Sequence, residues 1–176
     1  MRHVTALITR GNKASAHMTA RAENEKWCNA LSDEFSLSIP LTRAMQLSVR
    51  SFTPGGLVLR APLEPNSNDK GTAFGGSLSA ILTLSGWGWL WIMTKRENFC
   101  CDLLIHSGEI RYLAPVSHEI EAHCPAASVS EWEKFTTQLR NKGKARILLE
   151  PRVLDATGQE AVTFQSSYVA LRKELK

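Results

Sequence analysis

A chain of 176 residues is long enough for one domain with a substantial core and too short for two, and a make-up of 43% apolar and 22% charged residues excludes both a disordered chain and a multi-span membrane protein. The formal net charge of +4 does not mark a body that binds nucleic acid: Arg2, Arg10, Lys13 and Arg21 fall in an acid-free stretch of 22 residues, and the remaining chain carries as many bases as acids. Cys28, Cys100, Cys101 and Cys124 show no C-x-x-C or finger-like spacing, so reduced thiols are expected, with no metal site, disulfide scaffold or cofactor.

Residues 1–22 read as a flexible basic tail on a cytoplasmic protein, with an organelle transit peptide as the alternative reading of the same Ser/Thr/Ala-rich, acid-free composition. The domain is expected over residues 23–172, followed by a short tail, 173–176. From Glu23 to Phe35, the spacing of Trp27, Ala30, Leu31 and Phe35 predicts an amphipathic helix that Pro40 stops. Met45 to Thr53 alternates as a half-buried strand, Pro54-Gly55-Gly56 is a turn, and Leu57 to Leu63 returns as the second strand of a hairpin. Glu64 to Gly76 is polar and rich in Asn, Pro and Gly, a loop of the length that more often carries function than not.

No charged residue occurs in the 22 positions from Ala73 to Thr94. That length suits a membrane span, but Ser77, Ser79, Thr83 and Ser85 are spread along it and no second span exists. A helix apolar on every side is equally expected where a sheet wraps around it, and that is the reading preferred. Four strands follow, Cys101 to Leu113, Ile120 to Cys124, Ala145 to Asp155 and Ala161 to Arg172, the last two paired as a hairpin through Asp155-Ala156-Thr157-Gly158. Between the second and third, Trp132, Phe135 and Leu139 predict a short helix over Ser130 to Asn141. The economical solution is an α+β domain with one antiparallel sheet curled around one hydrophobic helix, its free edges covered in a symmetric homodimer or tetramer.

This order, with Asn66-Ser67-Asn68-Asp69-Lys70-Gly71-Thr72-Ala73-Phe74-Gly75-Gly76-Ser77-Leu78, then Gly86-Trp87-Gly88 and Ile110-Arg111-Tyr112-Leu113-Ala114-Pro115-Val116, resembles the hotdog-fold thioesterase family of the YiiD C-terminal type over roughly Glu23 to Leu171. The resemblance implies a hotdog fold and an acyl-CoA or acyl-carrier-protein substrate, as in fatty acid metabolism. Hotdog thioesterases carry an Asn in the loop, a His-Gly-Gly at the helix start and a carboxylate about two turns further on. Asn68, Gly75 and Gly76 match; Phe74 stands in place of the His and Thr83 in place of the carboxylate.

Read as chemistry, Gly75 and Gly76 open a helix whose first N–H groups are free of side-chain obstruction and can hold a thioester oxyanion; the alternative is a tight turn that needs glycine. Ser77 is expected to cap the helix or to donate to substrate. Asn66, Asn68 and Asp69 are placed to position water or the acyl group, Asp69 as the base, against the alternative of Asx turns. Thr72, Phe74 and Thr83 are expected at the substrate, together with whichever of His106 and Ser107 strand alternation turns toward the helix. His118, His123, Glu119 and Glu121 supply too few ligands on one face for a metal. Thr83 lacks the charge that would repel a malonyl group, so decarboxylation of a malonyl thioester at the same amides is the alternative to hydrolysis, with a non-catalytic acyl-thioester binding module as the third reading.

Overall fold

A computed structural model describes the backbone of residues 2–173 and, among these, the side chains of residues 19 and 21–173. Helix α1 (Arg2–Ser38) includes the helix expected from Glu23 and continues back through the segment read as a tail. The expected C-terminal tail lies outside the described residues except for Lys173. On α1, Leu31 and Phe35 are buried and Trp27 packs beside them, one turn apart in each case. Pro40 does not simply end the helix: it occupies the first turn of a new short one, α2 (Pro40–Ala44), where a missing N–H costs nothing.

The strand expected from Met45 begins later. Met45 donates its N–H to Leu41 to close α2, and Gln46 turns the chain at φ 51°, so β1 (Ser48–Thr53) starts only beyond that turn. It pairs antiparallel with β2 (Gly56–Ala61) as the expected hairpin. A 3-10 turn (Glu64–Asn66) enters the polar loop, and α3 (Gly75–Arg96) follows. The remaining elements are β3 (Cys101–Tyr112), β4 (Ile120–Pro125), α4 (Val129–Lys142), β5 (Lys144–Leu149), β6 (Arg152–Leu154) and β7 (Glu160–Arg172). The single strand expected from Ala145 to Asp155 is thus two. Pro151 has no N–H for a ladder, and the break at Glu150-Pro151 divides β5 from β6, both of which pair with β7.

The seven antiparallel strands run β1-β2-β4-β6-β7-β3, with β5 also on β7. This sheet wraps α3, and Leu78, Ile81, Leu82, Trp89, Leu90 and Ile92 are buried on several sides of the helix, as a charge-free helix requires. Among the described residues, no helix is long and apolar enough to cross a membrane. Helix α4 closes the remaining flank with Phe135 and Leu139; Ser128 and Glu131 form its capping box, and Gly143 ends it at φ 67°.

Two edges remain. β1 lies under α1, whereas β3 pairs with β7 on one side and with no strand among the described residues on the other. Leu104, Ile105, Tyr112 and Leu113, on and just beyond this edge, are all exposed.

Candidate active site

The loop before α3 is built by its own polar side chains. Asn66 is buried; its Nδ2 donates to the carbonyls of Met45 (2.9 Å) and Pro62 (2.8 Å), and its carbonyl accepts the N–H of Phe74 (2.7 Å). It therefore staples both ends of the loop to the core, while its Oδ1 is buried without a partner among the described residues. Asn68 works inside the loop: Oδ1 accepts from the N–H groups of Lys70 (2.8 Å) and Thr72 (3.3 Å), and Nδ2 donates to Thr72 Oγ1 (3.0 Å). Both ends of this amide are thus spent on an Asx-type turn. Asp69 projects outward with its side chain 81% exposed, and Lys70 Nζ stands 3.3 Å away.

The loop delivers the chain to α3 in an unusual state. Phe74 is the N-cap and makes no side-chain cap bond, so the first helical hydrogen bond is Leu78 N–H to the Phe74 carbonyl at 3.0 Å. The N–H groups of Gly75, Gly76 and Ser77 have no acceptor among the described residues. They sit at the positive end of a 22-residue helix, equivalent to about half an elementary charge. Ser77 was expected to cap; because the helix already begins at Gly75, it sits in the first turn and caps nothing. Phe74 lays its ring over Gly76, where a Cβ would come within 2.3 Å of a ring carbon.

Tyr112, which the sequence reading did not single out as a site residue, completes the frame. Its hydroxyl donates to the Gly75 carbonyl at 3.0 Å across 37 residues of sequence. In the sequence it is an aromatic residue of an expected strand and of the Ile110 to Val116 motif, neither of which says anything about reach.

Thr83 is half-buried two helical turns from Gly75, about 12 Å along the axis. Its carbonyl accepts the hydroxyl of Tyr168 at 2.9 Å, and burial pushes the Tyr168 phenol pKa up, so this donor stays protonated. The simple alternation expected for His106 and Ser107 fails at a bulge: Ile105 pairs with Tyr168 and Ser107 with Ser167, which leaves His106 as the extra residue. Tyr168 faces α3, so Ser167, its neighbour in the strand, and Ser107 opposite it lie on the outer face of the sheet, away from α3. The structure therefore gathers Asn66, Asn68, Thr72, Phe74, Gly75, Gly76, Ser77 and Tyr112 at the start of α3 and separates Ser107 from them.

On the outer face, Arg60 pairs with Glu119 (2.9 Å) and Glu121 (3.0 Å), and the guanidinium holds the Glu121 carboxyl below the usual range. Among the described residues no group of three or more His, Cys, Asp or Glu side chains is arranged to hold a metal.

Residues 28–172 match the family described as "Putative thioesterase (yiiD_Cterm)". The chain belongs to this family. Solved structures share its hotdog architecture. A protein of unknown function from Chlorobaculum tepidum is 34% identical with a TM-score of 0.82, over 85% of this chain and 97% of its own. A Shewanella oneidensis protein described as a "putative thioesterase" is 32% identical with a TM-score of 0.76, over 84% of this chain and 99% of its own. A Pseudomonas aeruginosa protein of unknown function, 19% identical with a TM-score of 0.71 over 82% and 95% of the two chains, shares the fold. At the open start of α3 the N–H groups of Gly75, Gly76 and Ser77, without acceptors among the described residues, form a cradle that can hold an oxyanion.

Proposed function

We propose that this chain hydrolyses acyl thioesters carried on coenzyme A or on acyl carrier protein. The observation that carries the reading is the set of unpartnered N–H groups at Gly75, Gly76 and Ser77, at the positive end of α3 and at the loop that resembles the family's active-site loop. A thioester carbonyl seated on the Gly75 and Gly76 amides is polarised, and water adds to its carbon. The base assigned is Asp69, the one carboxylate between Asn66 and Ser77, which turns in from its solvent-facing position to take the proton from that water. The carbonyl oxygen becomes an oxyanion held by the two amides, and collapse breaks the C–S bond to release the thiolate. Asn66, Asn68 and Thr72 serve by holding the loop, and Phe74 and Thr83 by flanking the acyl group; His106, the exposed extra residue of the β3 bulge, is given no role at the amides.

Purified protein incubated with acetyl, malonyl, hexanoyl and palmitoyl thioesters, on coenzyme A and on acyl carrier protein, is expected to release free thiol. Asp69→Ala is expected to lower kcat at least a hundredfold, the scale of a lost general base. Acetyl thioester formed from the malonyl substrate without free thiol would instead establish a decarboxylase, and neither product would favour a binding module.

The same reading includes a homodimer formed along β3. Among the described residues this 12-residue strand has an edge with no strand on it, and Ile105 (44% exposed) and Leu113 (58% exposed) lie on and just past it, close in sequence to Tyr112. Ile105→Lys is expected to give a monomer by sedimentation and to lose most activity; a dimer of unchanged mass and rate would show that the subunits meet elsewhere.

A further inference from the structure

We infer that Tyr112 is a positioning residue that tunes the Gly76 N–H through the peptide bond the two glycines share; this rests on the thioester reading above. The Gly75 carbonyl and the Gly76 N–H belong to one planar amide. In the helix that carbonyl accepts one bond from four residues on, and its second lone pair is free for another donor. Tyr112 fills it at 3.0 Å. A donor on the oxygen draws electron density out of the amide and makes the N–H at its other end a stronger donor. It also fixes the plane of a peptide flanked by two residues without side chains, which is otherwise the most freely rotating unit of the helix start. The ring is set for this task. Its nearest atoms lie 3.5 Å from where a Gly75 Cβ would stand, in ordinary contact, so the hydroxyl reaches the carbonyl without crowding the amides. Tyr112 thus ties the edge strand β3, where the dimer is proposed, to the first peptide of α3, and assembly along β3 feeds directly into the geometry of the oxyanion site.

The test is Tyr112→Phe, which keeps the ring and deletes the donor. Glycine labelled at both nitrogen and carbonyl carbon leaves two amides that follow a labelled carbonyl, Gly56 and Gly76, because the chain has two Gly-Gly steps. In Tyr112→Phe the Gly76 amide nitrogen resonance is expected to move and that of Gly56 to stay. With the acyl-CoA that the wild type turns over fastest among those above, kcat is expected to fall roughly tenfold, about 1.4 kcal/mol of transition-state stabilisation, with KM unchanged. An unmoved Gly76 resonance overturns the inference whatever the rates. A moved resonance with kcat unchanged, or a rise in KM alone, overturns it as well, because the bond is then structural or the ring merely touches substrate. A wild type inactive on every thioester overturns the thioester reading and with it the catalytic part, while the spectrum still decides whether Tyr112 grips the peptide.

Discussion

Gly75→Pro is expected to leave the protein folded and to cut thioester turnover by a hundredfold or more. Proline at the first helical position loses only an N–H that has no helical partner, and its fixed φ suits the helix. The residue before it must be extended, and Phe74 already is, at φ −68° and ψ 132°. A Cβ at Gly75 meets nothing closer than the Tyr112 ring at 3.5 Å. The Gly75 carbonyl survives, so the bond from Tyr112 is kept. The N–H is removed and the ring Cδ takes its place, so the oxyanion loses both a donor and its seat, and the loss of one oxyanion donor alone costs roughly a hundred- to a thousandfold in kcat. Stability is expected to be unchanged or to rise by a few tenths of a kcal/mol, because proline narrows the unfolded ensemble. Gly75→Ala, which retains the N–H, should stay within a few fold of wild type. Equal rates for Gly75→Pro and wild type would remove this amide from the reaction.

Much of the architecture was legible because it is written in local pattern. The period-two runs, the Pro54-Gly55-Gly56 turn and the charge-free run after Ala73 each require one kind of element, and the structure contains β1, β2 and α3 there. The spacing of Trp132, Phe135 and Leu139 likewise announced α4. What escaped depended on contacts distant in sequence or on single backbone departures. Pro151 splits a run whose apolar residues read through the break, and the bulge at His106 resets an alternation that composition cannot reveal. At the site, the glycines and the loop were visible, but the division of labour inside it was not. Asn66 and Asn68 are the same residue type two positions apart; one staples the loop to the core and the other closes a turn, a difference set by burial alone. Tyr112 is legible in the sequence only as part of a motif, because its partner lies 37 residues away.

Gly86-Trp87-Gly88 was likewise visible as a motif without its reason, and Gly86→Ala supplies the sharpest test of it. By helix propensity alone the change should stabilise α3 by about 1 kcal/mol. The packing decides otherwise. A Cβ at Gly86 would lie 2.3 Å from the Tyr168 hydroxyl and 2.6 Å from Cζ. Tyr168 cannot swing away, because it is fully buried on β7 and its hydroxyl is held by the Thr83 carbonyl at 2.9 Å. Either α3 lifts from the sheet or the phenol loses its bond, so a net destabilisation of about 3 kcal/mol is expected. For a chain of this size that lowers Tm by roughly 6–12 °C. In a Tyr168→Leu background the obstructing atoms are gone, and the same Gly86→Ala change is expected to become neutral or stabilising as propensity takes over. That reversal of sign, read from two melting curves, would establish that glycine at 86 sets the spacing between α3 and β7. Persistence of the penalty without Tyr168 would place the constraint in the helix itself. Because Tyr168 grips α3 at Thr83 and Tyr112 grips it at Gly75, that spacing also fixes how deep the helix start sits beneath the sheet, and therefore where a thioester carbonyl meets the amides.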